Sequence, residues 1–304
     1  MASRSIGVQG SLTSTSSGSS KRRGGSRRPY RPRALREAGA TPLKQLGQHF
    51  LTDRNVVNRI VVAAELTLDT NVIEVGPGLG ALTQSLVGAA RQVIAVELDA
   101  KLAAQLNETI DAPNLTVVQA DVLGAQPEAL LSEAGLAADA PYIVVANLPY
   151  NIGAAVLRHF LEAGQQPRYL VVMLQREVAE NVVAAPGDLG LLGVSTQVYA
   201  EARRLFNVPP RAFYPPPKVT STVIRLDVRE TSLVAPSERE HFFRVLRAGF
   251  SAPRKQLRNT LAQGLSRAPA DVLRAITSAG IDARLRPQDL SVDDWLRLVG
   301  AVEG

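Results

Sequence analysis

The chain has no cysteine among its 304 residues, which excludes disulfides, thiolate nucleophiles and cysteine-ligated zinc together. Its histidines number only three, His49, His159 and His241, and they lie far apart without ligand spacing. A metal site is therefore not expected. Also missing is any uninterrupted apolar run near the ~18 residues that would cross a bilayer. The expectation is a soluble, cytoplasmic, monomeric protein. With 45% hydrophobic residues, the chain can build one large α/β domain and a smaller second one.

Acid is scarce in particular places. Residues 1–40 carry nine Lys or Arg against Glu37 alone, a net +8, so the rest of a chain with overall charge +6 sums to −2. Any face that binds a polyanion must then come from local segregation of charge. Two stretches hold no acid at all: 202–226, with Arg203, Arg204, Arg211, Lys218 and Arg225, and 241–270, with Arg244, Arg247, Arg254, Lys255, Arg258 and Arg267. Such stretches read equally as solvated surface and as nucleic-acid contact. The segment "SLTSTSSGSSKRRGGSRRPYRPR" cannot bury a core. It reads as a disordered tail over 1–40, and its composition also fits a transit segment or an RNA-brushing arm.

Thr52 or Asp53 can cap a helix whose apolar positions Val56, Val57, Ile60, Val61 and Leu66 recur at helical spacing. From residue 71, short apolar runs alternate with helix-sized spacers: "NVIEV", "QVIAV", "LTVVQ", "YIVVAN" and "YLVVML". That alternation predicts βαβ units and a parallel sheet buried on both faces. "LGLLGVSTQVYAEA" reads as helix, and "RRLFNV" and "VTSTVIRLDV", joined by a Pro-rich loop too short for a helix, as strands pairing antiparallel at the sheet edge. Beyond residue 229 strands give way to helices. Capping boxes are expected at Ser237/Glu240 and Ser291/Asp294, with "PADVLRAITSAG" helical between them and Trp295, Phe242, Phe243 and Phe250 as core anchors. The organisation is a tail over 1–40, an α/β domain over 41–228 and a small all-helical domain over 229–304.

"VIEVGPGLGALT" sets Gly76, Gly78 and Gly80 in the turn after the first sheet strand, where glycine lets the backbone approach a ligand and the next helix aims its N-terminus at it. The stretch also satisfies G-x-G-x-x-A, so a dinucleotide site competes. Glu97 ends the second strand, placed to accept from ribose hydroxyls of either kind of ligand. Three features favour a methyltransferase. Glu74 gives E-x-G-x-G-x-G, which a pyrophosphate would find repulsive and a cationic sulfonium would tolerate. "VQAD" brings Asp121 to the end of the third strand, facing an adenine amine. The fourth strand delivers Asn147, Leu148, Pro149 and Tyr150 at the carboxyl edge, where ligands of open α/β sheets bind.

That last tetrapeptide suits a specific chemistry. The N6 amine of adenine is a poor nucleophile because its lone pair is delocalised into the ring. Asn147 Oδ1 and the Leu148 carbonyl can each accept one N–H, which favours a pyramidal nitrogen and aims its lone pair. Pro149 makes the acceptors converge and Tyr150 offers a ring to stack on the base. Orientation and electrostatics then supply most of the acceleration, on a base that is flipped out or unpaired.

"KQLGQHFL", "VIEVGPGLGALT", "AVELD", "ADVL", "NLPYNI", "FYPPPKVTSTVIRL" and "RKQLRNTL" stand in order from residue 41 to the C-terminus. In these the chain resembles the small-subunit ribosomal RNA adenine N6,N6-dimethyltransferase family, the KsgA type. The resemblance implies a Rossmann-like class I S-adenosylmethionine-dependent methyltransferase domain with a small C-terminal all-helical domain. It implies that His49 and Leu51 line the methionine side of S-adenosyl-L-methionine, that Gly76 and Gly78 form its turn, and that Glu97 holds the ribose and Asp121 the adenine. Asn147 would link cofactor and target base, with Phe213 as a second stacking face. Arg254, Lys255 and Arg258 would contact phosphates of small-subunit rRNA within the 30S subunit or its precursor. Many members have Asn where this chain has His49, which implies altered affinity. A large-subunit resistance methyltransferase, whose relatives read Asn-Ile-Pro-Tyr or Asn-Ile-Pro-Phe, and a non-catalytic RNA-binding assembly or transcription factor are the alternatives.

Overall fold

The computed structural model describes residues 48–303. The basic tail over 1–40 and the first half of "KQLGQHFL" lie outside them. In chain order the elements are β1 (Phe50–Leu51), α1 (Arg54–Ala63), β2 (Asn71–Val75), α2 (Thr83–Leu86), β3 (Gln92–Glu97), α3 (Ala100–Thr109), β4 (Leu115–Gln119), α4 (Pro127–Glu133), β5 (Tyr142–Asn147), α5 (Gly153–Glu162) and β6 (Tyr169–Gln175). There follow α6 (Arg176–Val182), α7 (Leu191–Gln197), β7 (Ala200–Val208), β8 (Phe213–Tyr214), β9 (Ser221–Val228), α8 (Arg239–Gly249), α9 (Leu257–Gly264), α10 (Pro269–Ser278) and α11 (Val292–Glu303).

Seven strands form one sheet in the order β4-β3-β2-β5-β6-β9-β7, parallel from β4 to β6 and antiparallel across β9 and β7. The five apolar runs are the five parallel strands, as their unbroken hydrophobicity predicts. Successive side chains point to opposite faces, and both faces are covered. Ile73, Ile94 and Val144 enter one core layer, and Val72, Val93 and Ile143 the other. Because β2 lies between β3 and β5, the chain leaves it in opposite directions, and the carboxyl ends of these strands open a crevice at that switch point.

Local signals decide the element ends. Asp53, extended at φ −84°, accepts a hydrogen bond from Asn55 N and starts α1. Ser291 and Asp294 form the expected reciprocal box, Asp294 Oδ2 accepting from Ser291 N at 2.9 Å and Ser291 Oγ from Asp294 N at 3.1 Å.

Three expectations need correction. The box at Ser237/Glu240 does not form: Pro236 begins a 3₁₀ turn that takes in Ser237, and α8 starts at Arg239 without a side-chain cap. Helix in "LGLLGVSTQVYAEA" stops at Gln197, and Ala200–Ala202 belong to β7, whose pairing with β9 from Ala200↔Val228 outweighs the helix preference of Ala and Glu. The helical region holds a further helix, α9, between α8 and α10.

Trp295 and Phe242 are wholly buried, and Phe243 and Phe250 pack against the same core. Trp295 stacks on Phe250 with ring centroids 5.2 Å apart. Its ring lies so close to Gly249 that a Cβ there would stand 2.4 Å from Cη2. One hydrophobic cluster runs from the β2 and β5 residues through Tyr199 and Phe242 to Trp295 and Val302. No helix among the described residues is long and apolar enough to cross a membrane.

Candidate active site

The turn after β2 is the floor of the crevice. Gly76 and Gly78 adopt φ of +65° and +58°, left-handed backbone that L side chains resist. Gly78 is also sterically required, since a Cβ on it would lie 2.9 Å from the Phe50 ring. The turn is tied down by Glu97, whose Oε2 accepts from Gly78 N at 3.0 Å and Oε1 from Asp99 N at 2.9 Å. Each carboxylate oxygen keeps a second lone pair for a hydroxyl. The helix expected to aim at a ligand, α2, has only four residues and begins at Thr83.

The charged residues on the otherwise largely apolar lining are acids. Glu74, Glu97 and Asp121 all line the cavity, and no lysine or arginine among the described residues does. Glu97 is 6% exposed, and burial raises its pKa above the usual carboxylate range, with the N–H bonds from Asp99 and Gly78 opposing. Glu74 is 1% exposed and its Oε2 has no hydrogen-bond partner among the described residues. Burial pushes its pKa up to about 8, Thr83 lowers it in part, and the charge of Glu97 raises it further. Asp121 stands two residues past the end of β4, on an exposed loop, its Oδ1 accepting from Leu123 N at 3.0 Å.

Asn147 is the last residue of β5 and lines the same cavity. Its Nδ2 donates to the His49 carbonyl at 3.2 Å. A carbonyl can only accept, so this bond fixes the amide's orientation. Asn147 Oδ1 and the Leu148 carbonyl accept no hydrogen bond among the described residues. Leu148 N donates to Met173 O at 3.2 Å, which anchors the loop to β6. The Tyr150 ring lies 5.3 Å from that of His49, tilted by 33°, and its hydroxyl is 2.6 Å from Ser221 Oγ. Burial raises the Tyr150 pKa, so the phenol stays protonated near neutrality.

The N-terminal wall of the cavity is a two-stranded ribbon. β1 pairs with β8, Phe50↔Tyr214 and Leu51↔Phe213. Thr52 N donates to Ala212 O at 2.8 Å and His49 Nδ1 to Pro215 O at 2.7 Å. His49 thus spends its polar contact on the Pro-rich loop. Of the residues singled out in the sequence, His49, Leu51, Gly76, Gly78, Glu97, Asp121, Asn147, Leu148 and Tyr150 all line one cavity. Phe213 does not line it; at 4% exposure it packs into the core with Leu51. Arg254 and Lys255, just before α9, and Arg258 in its first turn are exposed and away from the cavity lining. Sequence reasoning missed Phe50, Leu98 and Leu102 on the cavity wall and Ser221 behind Tyr150. Leu98 alone carried a signal, a leucine beside Glu97 that is 50% exposed.

Carboxylates without a facing cation repel a pyrophosphate and accept a cationic adenosyl compound, while free acceptors at the β5 end suit an amine. Fold and site together are those of a Rossmann-like methyltransferase. The family model for ribosomal RNA adenine dimethylase matches residues 41–303. The chain belongs to that family, and it is an enzyme that dimethylates adenine in ribosomal RNA. It is 46% identical over 256 residues to ribosomal RNA small subunit methyltransferase A of Dehalococcoides mccartyi, covering 84% of this chain and 86% of the relative. The protein of that name from Bacillus pumilus is 38% identical, with 88% and 94% covered. Among solved structures, the 23S rRNA methyltransferase ErmE is 30% identical, with a TM-score of 0.65 and coverage of 84% of this chain and 100% of that one. A dimethyladenosine transferase from Plasmodium falciparum shares the fold at 22% identity, with a TM-score of 0.69 and coverage of 82% and 96%.

Proposed function

We propose that this enzyme transfers methyl groups from S-adenosylmethionine to N6 of two adjacent adenosines in the 3′-terminal hairpin loop of small-subunit rRNA, two to each. The observation that carries this reading is the Asn147 amide, held by its nitrogen to the His49 carbonyl so that Oδ1 is left beside the free Leu148 carbonyl. Those acceptors orient an exocyclic amine, and Tyr150 supplies a ring for the base. Glu97 would hold the ribose hydroxyls, Asp121 the adenine amine, and His49, Leu51 and the Gly76 turn the methionine part. S-adenosylmethionine, when bound, supplies an electrophilic methyl group. No strong base is needed, because the N6 proton becomes acidic on alkylation and leaves to solvent. The names of the Dehalococcoides and Bacillus relatives support the small-subunit target.

Incubation with labelled S-adenosylmethionine and undermethylated 30S subunits is expected to yield N6,N6-dimethyladenosine; label confined to protein or to other bases would refute the reading. Likeness to ErmE favours a second target, large-subunit rRNA. Macrolide resistance in cells expressing the gene would select that one.

Docking is assigned to the helical region over 229–303. Arg254, Lys255 and Arg258 are exposed and pair with no acid among the described residues. Replacing all three with alanine is expected to lower the slope of log affinity against log salt for 30S binding by about 2–3, since each phosphate contact contributes roughly 0.7–0.9. An unchanged slope would remove these side chains from the interface.

A further inference from the structure

Among the described residues, Glu74 is the one acid on the cavity lining to which the reading above gives no part in holding the turn, the cofactor or the target base. It lies on the cavity lining, one residue before the end of β2, 1% exposed, with Oε2 unpartnered among the described residues. The groups around it offer no compensating charge. Glu97 faces it from the end of β3, Thr83 from α2, and Asp121, His49 and Tyr150 line the same cavity from the β4 loop, the segment before β1 and the loop after β5. A buried carboxyl in such surroundings prefers its neutral form, and a cation placed nearby reverses the preference.

We infer that Glu74 is a proton-linked sensor of ligand charge: it holds a proton in the ligand-free protein and releases it when a cationic methyl donor enters the cavity. The inference rests on the reading that the cavity takes S-adenosylmethionine. In the step, the carboxyl O–H bond breaks, the proton passes to solvent, and the negative charge left on Glu74 compensates the positive charge of the ligand. The site is then neither a standing anion that would hold metal ions or bind any cation, nor a neutral wall that would leave a sulfonium uncompensated.

The direction with pH follows. With the ligand-free value near 8, Glu74 must lose close to one proton on binding at pH 7, and donor affinity falls up to tenfold for each pH unit below about 8. Above that value the carboxylate is already ionised and the dependence disappears.

Calorimetric titration with S-adenosylmethionine, in buffers of different ionisation enthalpy, counts the protons released. The wild type is expected to release close to one proton more at pH 7 than Glu74→Gln, whose amide cannot ionise; the ligand's own titration is common to both. The affinity ratio of wild type to variant is expected to rise between pH 6 and pH 8. Equal proton counts in the two proteins would overturn the inference while leaving the cofactor reading intact. Failure of the wild type to bind S-adenosylmethionine would overturn both. Should Glu74→Gln not fold, the wild type alone decides: its proton release must fade as pH rises past about 9, and a release that persists there refutes the role given to Glu74.

Discussion

Asn147→Ala is expected to lower the rate of methyl transfer by about 10²–10³-fold, the loss typical when one preorganised polar partner of a transition state is removed. Two contributions vanish together. Oδ1 no longer accepts from the amine, and the bond from Nδ2 to the His49 carbonyl, 3.2 Å in the native protein, no longer ties the β5 end to the segment before β1. The side chain lies away from the exposed cations assigned to docking, so affinity for 30S subunits should stay within about threefold. Single-turnover methylation of undermethylated subunits, beside a filter-binding titration, checks both halves. A rate within tenfold of wild type would mean that the amine is oriented by something other than this amide.

Trp295→Ala has the largest expected effect on stability, about 3–5 kcal/mol, the usual cost of deleting a wholly buried aromatic side chain. The ring is 0% exposed and stacked on Phe250, and Gly249 is bare to admit it. Collapse around the void is hindered because α8 and α11 are each held elsewhere in the same core. One cluster joins Trp295 to the β2 and β5 residues, so urea unfolding followed by helix signal and by the tyrosines of the sheet should shift together. A loss below about 1 kcal/mol, or two separated transitions, would show the helical region to be energetically independent.

Much of this architecture was legible in the chain because four of the five parallel strands, β2, β3, β5 and β6, are buried on both faces and therefore strongly apolar. Reading their carboxyl ends located the part of the cavity lined by Glu74, Gly76, Gly78, Glu97, Asp121, Asn147, Leu148 and Tyr150. Part of what escaped depends on partners distant in sequence. Arg203–Val208 read as a strand, but the preceding Ala200–Ala202 read as helix, and only their pairing with β9 makes them part of β7. Ser237 has the right neighbour for a capping box, but Pro236 spends it in a 3₁₀ turn. Phe213 reads as a free ring in a loop, yet it lies opposite Leu51, more than 160 positions earlier, and that pairing buries it. The acid at position 74 was visible; that no lysine or arginine among the described residues lines its cavity was not.

The ribbon of Phe50–Leu51 with Phe213–Tyr214 has a mechanical corollary. Leu51 lines the cavity while Phe213 backs it, and Thr52 and His49 are hydrogen-bonded to the same Pro-rich loop. An excursion of that loop is therefore expected to carry the His49 and Leu51 wall of the cavity with it. A displacement on one side of the ribbon is thus expected to be passed to the other through two residue pairs, Phe50 with Tyr214 and Leu51 with Phe213.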